Sequence, residues 1–152
     1  MKELKYEFYI AGTPERVWDT LTSPEGTKQV FHGSVIKSTF QVGDALEYVG
    51  PGADGDETIH VYGTVLEYEP KRVLRFTHYV GKSYTSGEQG KESRISYLLE
   101  PIDACTKLTL IHDQWKEGDP HYENSGKAWW MILSNIKTVV ETGKKLDFGD
   151  MG

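Results

Sequence analysis

The sequence has only one cysteine, Cys105, so no disulfide bond can form within the chain. A chain without disulfides suits a reducing compartment, and we therefore expect a cytoplasmic protein. Long apolar runs are also missing. Nowhere do about 18 apolar residues follow one another, so no membrane span is predicted. The opening residues MKELKY lead into no apolar run, so we expect no signal peptide either.

Positive charge is scarce. The chain has 17 Lys and Arg against 23 Asp and Glu, which gives a net charge of −6 with histidine neutral. An acidic protein repels phosphates, and the sequence shows no basic stripe that would overcome the repulsion. We therefore expect no nucleic-acid partner.

Aromatic residues are abundant, with nine Tyr, five Phe and four Trp. Such side chains fill large cores, and they also line ligand cavities, so their number alone does not separate the two uses. A chain of 152 residues suits one domain with one substantial core. Because no linker or repeat interrupts the sequence, we predict a single domain over residues 1–152.

The N-terminal part predicts a strand followed by one or two short helices. Residues 4–10 carry large apolar side chains at every second position, which is typical of a half-buried strand. Thr13 is a suitable N-cap and Pro14 suits the first helical position. The stretch after Ser23, as far as Gly33, is expected to form the second short helix.

The middle of the chain predicts six more strands, separated by turns rich in Gly, Pro and Asp. The segment 81–91 is polar and contains several glycines, so we expect a loop there. The six predicted strands cover residues 34–40, 45–49, 58–68, 73–80, 94–100 and 107–115.

The C-terminal part changes from a period of two to a period of three and four. The recurring residues are Trp129, Ile132, Leu133, Ile136, Val140 and Gly143. This pattern predicts an amphipathic helix from near Asn124 to near Lys145. We expect residues 144–152 to form a frayed tail. Strands that follow short helices and end in one long apolar helix predict an α+β fold, in which the helix lies across a curved antiparallel sheet.

Several segments resemble the SRPBCC (START-like) superfamily, in particular the branch similar to the activator of heat-shock-protein ATPase, the AHSA-like proteins. Residues 10–25 (IAGTPERVWDTLTSPE) resemble the N-terminal signature of this family, and residues 63–77 (GTVLEYEPKRVLRFT) resemble its central hairpin. Its last hairpin resembles residues 95–101 and 106–112, and its closing helix resembles residues 126–146. The segments occur in the family's order and cover nearly the whole chain.

This resemblance implies the helix-grip fold, with a cavity between sheet and helix for lipids, polyketides, flavonoid-like molecules or other apolar compounds. Some members of the superfamily are cyclases or dehydratases, so an activity is implied only loosely. The long polar stretch 81–91 departs from the family pattern. The residues expected to face the cavity are Tyr48, Phe76, His78, Tyr97, Leu99, Leu110, His112, Trp129, Ile132, Leu133 and Ile136.

Two histidines, His78 and His112, fall on strand faces that are otherwise apolar. At a cavity wall they could orient a carbonyl or hydroxyl group, or act as general acid and base. The alternative is that each is a core histidine bonded to a neighbouring tyrosine or backbone group. Asp113 follows His112 but points to the opposite face of a strand, so neither histidine has an evident carboxylate partner.

No metal or cofactor is predicted. The other histidines show no metal-ligand spacing, and no nucleotide-binding glycine pattern, phosphate loop or Ser-His-Asp order is present. The leading hypothesis is a non-enzymatic binder of a small apolar molecule. The second is a polyketide cyclase or dehydratase that uses His78, His112, Tyr97 or Arg94. The third is a chaperone-regulating interaction module, for which the sequence offers no apolar surface stripe.

Overall fold

A computed structural model describes residues 2–148 of the chain. The first strand, β1 (Leu4–Ile10), leads into two short helices, α1 (Pro14–Thr22) and α2 (Pro24–Val30). Six strands follow, and a long helix ends the fold. The strands are β2 (Val35–Ser38), β3 (Ala45–Pro51), β4 (Glu57–Glu69), β5 (Val73–Val80), β6 (Ser93–Ile102) and β7 (Cys105–Asp113), and the helix is α3 (Tyr122–Thr142).

The seven strands form one sheet in the order β1-β7-β6-β5-β4-β3-β2, and every neighbouring pair is antiparallel. The pairing register shifts between Tyr48 and Val49 in β3 and again between Val65 and Glu67 in β4. Such irregularities bend a sheet and increase its twist. The α+β architecture predicted from the sequence, a curved antiparallel sheet against a long C-terminal helix, is thereby confirmed.

The short helices begin where the predicted caps lie. The side chain of Thr13 accepts a hydrogen bond from the backbone nitrogen of Arg16, and Pro14 occupies the first helical position. Ser23 serves both helices: its backbone N–H donates to the Asp19 carbonyl at the end of α1, and its side chain accepts from Gly26 in α2. Each cap satisfies backbone groups that a helix end leaves without partners.

Several element boundaries differ from those predicted. The second strand is shorter than residues 34–40, because Phe40 adopts a left-handed conformation with φ of 59°. The last strand stops at Asp113 instead of Trp115, since Gln114 has φ of 57° and turns the chain. Helix α3 ends at Gly143, a left-handed C-cap, rather than near Lys145.

The start of the predicted frayed tail is held against the helices. The backbone N–H of Leu146 donates to Asn135 Oδ1 at 2.8 Å, and Asn135 Nδ2 donates to the Gln29 carbonyl at 3.0 Å. Asn135 is buried, and both bonds are partly buried. The expectation of fraying was therefore wrong at Leu146, while residues 149–152 lie outside the described residues.

We expect Asn135→Ala to free this segment and to lower the free energy of unfolding by roughly 1–3 kcal/mol, because it removes two hydrogen bonds that each contribute about 0.5–1.5 kcal/mol. Limited trypsin digestion should then cut faster after Lys144 and Lys145. Ser134→Ala, on the same helix, is the control, since its hydroxyl bonds only to the Trp130 carbonyl one turn earlier. Equal cleavage of both variants would contradict this role of Asn135.

Candidate ligand pocket

A pocket of about 600 Å³ lies between the concave face of the sheet and the first half of α3. The end of α2, the loop after β3 and the segment after β5 complete its wall. A volume of this size is typical of sites for small organic molecules. Two other depressions, of about 400 and 850 Å³, are bordered by charged side chains of α1, α2 and the tail. The 600 Å³ pocket has the more apolar wall.

Five aromatic side chains of the wall contact one another in a closed circle, which we call the aromatic girdle. Its members are Phe31, Tyr48, Phe76, Tyr97 and Trp129. The ring centroids of Phe31 and Tyr48 are 5.0 Å apart, and those of Tyr48 and Phe76 are 6.2 Å apart. Phe76 and Tyr97 are also separated by 6.2 Å, while Trp129 lies 6.4 Å from Tyr97 and 6.4 Å from Phe31. Tilted and edge-on contacts at such distances stabilise each ring against rotation. The girdle therefore forms a preformed apolar surround from three strands and two helices.

The structure divides the residues predicted to face a cavity into two groups. Seven of them line the pocket: Tyr48, Phe76, His78, Tyr97, His112, Trp129 and Ile132. The other four, Leu99, Leu110, Leu133 and Ile136, are buried in the packed core and do not line it.

The strand register orders the polar groups of the sheet wall into rows. Tyr97 pairs with Leu74 on one side and with Leu110 on the other, which makes an inner row. Two residues along the strand, Ile95 lies between Phe76 and His112. The outer row pairs Ser93 with His78. Tyr97 is thus flanked by leucines on the neighbouring strands, while the histidines lie progressively nearer the outer edge.

His112 is held by two buried hydrogen bonds. Trp129 Nε1–H donates to His112 Nδ1 at 3.0 Å, and His112 Nε2 lies 2.8 Å from the Ser93 hydroxyl. Because the indole can only donate, a neutral His112 carries its hydrogen on Nε2 and donates it to Ser93. Trp115 packs on the imidazole with ring centroids 4.0 Å apart and donates to the His112 carbonyl. Both ring nitrogens are therefore committed to protein groups.

The Ser93 hydroxyl extends this chain toward His78. It accepts from His112, and its oxygen lies 3.4 Å from His78 Nδ1, to which it can donate its own hydrogen. This arrangement leaves the hydrogen of a neutral His78 on Nε2, available to a molecule in the pocket. The imidazoles of His78 and His112 lie with their centroids 4.9 Å apart.

Both histidines are held in the neutral form. Burial, followed by the effect of the His78 charge, lowers the pKa of His112 to about 2. Burial also lowers the pKa of His78 to about 4, with a further lowering by the charge of His121. Removing an imidazolium from water is unfavourable, and a second positive charge nearby adds to the cost. At neutral pH the pair therefore offers hydrogen-bonding groups and no positive charge.

The tyrosines of the girdle carry the second polar feature of the wall. Tyr48 is 5% exposed and Tyr97 is 1% exposed. Burial raises the pKa of both phenols, so both hydroxyls stay protonated. Among the described residues, neither hydroxyl has a partner in full hydrogen-bonding geometry, although the two lie close enough for a hydrogen bond between them to affect both pKa values. Such a bond uses only one of the two hydrogens, so the wall keeps at least one buried donor without an acceptor among these residues.

The mouth of the pocket is crossed by a contact between His60 in β4 and Tyr84 in the segment after β5. The Tyr84 hydroxyl bonds to His60 Nδ1, and His60 Nε2 lies 3.0 Å from the Pro51 carbonyl. A carbonyl only accepts, so His60 donates through Nε2 and accepts from Tyr84 through Nδ1. The segment 81–91, expected to be a loop at the cavity mouth, contains a short 3-10 helix (Lys82–Tyr84) that carries this tyrosine.

Several wall residues were not identified from the sequence. Phe31 closes the girdle from the end of α2, and Ser93 joins the two histidines from a position between the predicted loop 81–91 and the predicted strand 94–100. His60 was considered only as a metal ligand. Ser93 is polar and shares a strand face with Ile95 and Tyr97, and this was the one feature of the sequence that could have indicated its place in the wall.

Charged groups play no part in this wall. No Lys, Arg, Asp or Glu is among the side chains found to line it. Over residues 2–148, no cluster of three His, Cys, Asp or Glu could hold a metal ion. In the same range, no helix combines the length and the apolar character needed to cross a bilayer.

The fold is shared with several solved structures. A protein from Arthrobacter aurescens is 16% identical with a TM-score of 0.77, over 99% of this chain and 92% of that one. The Aha1 dimer from Colwellia psychrerythraea is 22% identical with a TM-score of 0.71, over 95% of this chain and 99% of that one. DynU16, from the dynemicin biosynthetic locus, is 18% identical with a TM-score of 0.72, over 97% of this chain and 51% of that one.

Among proteins with curated descriptions, none matches this sequence. The sequence profile of the Activator of Hsp90 ATPase homolog 1-like proteins matches residues 11–141, which is most of the chain. This range runs from the end of β1 to the last turn of α3, so it includes all five rings of the girdle and both buried histidines. The chain therefore belongs to the family of Activator of Hsp90 ATPase homolog 1-like proteins.

Proposed function

We propose that the protein binds a small hydrophobic molecule, of lipid-, polyketide- or flavonoid-like character, in the 600 Å³ pocket. The observation that carries this proposal is the 600 Å³ pocket itself, whose wall includes all five rings of the aromatic girdle. In a protein core, rings of this size normally pack against side chains at close to crystal density. Apolar surface facing such a space is stabilised when an apolar molecule covers it.

Binding has a simpler basis here than catalysis. The cyclase or dehydratase alternative needs an acid or base that reaches the substrate, yet both nitrogens of His112 are bonded to Trp129 and Ser93. His78 is the one histidine of the pair with a ring nitrogen left for a ligand. The chaperone-regulating alternative draws on the family name and on the Aha1 neighbour, with no surface of this chain behind it, and stays a prediction.

Native mass spectrometry of the purified protein, together with a thermal-shift screen of apolar compounds, tests the proposal. A ligand at a hundredfold its dissociation constant adds about 2.7 kcal/mol to the free energy of unfolding. For a chain of this length, that corresponds to a rise in Tm of roughly 5–10 °C. A screen in which no compound raises the Tm, with no retained mass, would contradict it.

Filling the pocket with a larger side chain should weaken the binding of a ligand. Ala128 of α3 lines the pocket, so we expect Ala128→Trp to occupy the space and to weaken any ligand found in the screen by at least about tenfold. Asn124→Trp is the matched control, since Asn124 is exposed on the same helix and lies outside the pocket. Isothermal titration calorimetry compares the three proteins. Equal affinity for Ala128→Trp and wild type would place the ligand elsewhere.

A further inference from the structure

The inner end of the pocket contains hydroxyl groups that the folded chain leaves without partners. Tyr48 and Tyr97 are each more than nine-tenths buried, and both belong to the girdle. Neither phenolic oxygen has a partner in full hydrogen-bonding geometry among the described residues, and the nearest candidate for each is the other tyrosine. Buried polar groups in native proteins are nearly always bonded, so a hydroxyl left over in this pocket wall indicates a group that arrives from outside.

Pairing between the two tyrosines would not satisfy them. They are near enough for the charge of Tyr48, and a hydrogen bond with it, to raise the pKa of Tyr97 further, after the larger effect of burial. A hydrogen bond from one hydroxyl to the other would use one of their two hydrogens. The second hydrogen would still lack an acceptor. Whatever small adjustment the rings make, the wall retains at least one donor that needs an acceptor oxygen or nitrogen.

The electrostatics of the inner wall disfavour a charged acceptor. No Lys or Arg lines the pocket, and His78 and His112, two of the four histidines that line it, are neutral at pH 7. A carboxylate or phosphate entering this site would lose its hydration without meeting an opposite charge, which is strongly unfavourable. A neutral acceptor loses much less hydration free energy on entering the pocket. A carbonyl oxygen has two lone pairs, accepts from both hydroxyls at once and brings no hydrogen that needs a partner of its own.

We propose that Tyr48 and Tyr97 form a recognition site for a neutral carbonyl group at the leading end of an apolar ligand. This inference rests on the proposed ligand-binding function and names the chemistry of its ligand. Tyr97 lies in the inner row of the sheet wall, between Leu74 and Leu110. The carbonyl therefore points into the core, and the apolar body of the ligand remains within the girdle, toward His78 and the mouth.

A matched pair of probes tests the proposal. Benzophenone and diphenylmethane have the same two rings and differ in one group, a carbonyl against a methylene. We expect wild-type protein to bind benzophenone at least about tenfold more tightly than diphenylmethane, which is the contribution of one well-made hydrogen bond. The Tyr48→Phe/Tyr97→Phe double variant should bind benzophenone only as tightly as it binds diphenylmethane. Its affinity for diphenylmethane should equal that of the wild type.

Two further measurements separate recognition from a structural role. The infrared carbonyl stretch of bound benzophenone should move to lower wavenumber in the wild type but not in the double variant. The double variant without ligand should have a Tm at or above that of the wild type, because it loses hydroxyls that had no partners. Tyr62→Phe is the control: the Tyr62 hydroxyl is also orphaned, but this residue does not line the pocket, so neither probe should be affected.

The outcomes distinguish this inference from the function on which it rests. Equal binding of the two probes, unchanged by the double variant, would overturn the carbonyl site and leave ligand binding intact. A lower Tm for the ligand-free double variant would also overturn it, since the hydroxyls would then serve the fold. If neither probe binds the wild type, the proposed function fails and the inference fails with it.

Discussion

The free energy of unfolding should fall steeply as the pH is lowered from 6.5 toward 4. His112 and His78 have native pKa values of about 2 and about 4, against about 6.5 for an unperturbed histidine. Above pH 6.5, both groups are neutral in the folded and in the unfolded chain, so stability there does not depend on them. Below pH 6.5, the unfolded chain takes up protons on both, and the folded chain does not.

Because the unfolded state then binds more protons, stability rises with pH and is lost as the pH falls. Each histidine that protonates only on unfolding contributes about 1.4 kcal/mol per pH unit. His112 is 1% exposed and should give this slope in full. His78 is partly exposed, so solvent screening reduces its share. We therefore expect a slope between about 1.4 and 2.7 kcal/mol per pH unit.

Urea unfolding at pH values from 7.5 to 5 measures this slope. The range stops above the pH at which carboxylates titrate, including Glu7, Glu57 and Glu141, whose pKa values are lowered chiefly by hydrogen bonds to Lys107, Lys37 and the Ala11 backbone. The variants His112→Gln and His78→Gln should each reduce the slope, and the double variant should nearly remove it. A stability that is flat over this range in the wild type would show that these histidines are not held neutral.

The arrangement of strands and helices was predictable because it depends on local patterns. A period of two in residues 4–10, the cap at Thr13 and the periodic apolar residues of α3 all act within a few neighbours. The element boundaries were less predictable. Gln114 turns the chain because of its left-handed conformation, which nothing in its residue type required, and Trp115 therefore packs on His112 instead of extending a strand.

The pocket was predictable only in part, for a related reason. Alternation along a strand or helix shows which side chains point inward, and it placed Tyr97, His112 and Leu110 on that side. It does not show whether an inward side chain meets another side chain or open space. Leu110 and Leu133 belong to the packed core alone, whereas Tyr97 belongs to the core and also lines the pocket. That difference depends on contacts between residues far apart in sequence, such as the pair Phe31 and Trp129.

Gly63→Ala should lower the free energy of unfolding by about 3 kcal/mol or more, or prevent folding. A Cβ atom at Gly63 in β4 would lie 1.7 Å from the carbonyl oxygen of Thr77 in β5 and 2.6 Å from its carbon. Both atoms belong to the backbone of the adjacent strand and cannot rotate away. Overpacking a rigid interior normally costs about 1–3 kcal/mol, and a contact this short falls at or beyond the upper end.

The close approach also positions the pocket wall. Thr77 lies between Phe76 and His78, and its hydroxyl accepts a hydrogen bond from the Thr64 backbone at 2.8 Å, beside Gly63. Moving Thr77 away from β4 therefore displaces two residues that line the pocket. If Gly63→Ala folds at all, we expect it to bind a ligand of the wild type more weakly, by about tenfold for a loss of 1.4 kcal/mol.

Gly126→Ala is the matched control, because it makes the same chemical change where space exists. Gly126 lies in α3, and a Cβ atom there would approach no atom closer than 3.6 Å, the nearest being a Leu4 side-chain carbon. Alanine favours a helix over glycine by about 0.8–1.0 kcal/mol, so this variant should be more stable than the wild type. Chemical denaturation of both variants measures the two effects. If Gly63→Ala unfolds at the wild-type midpoint, β4 and β5 do not require the close approach of their backbones.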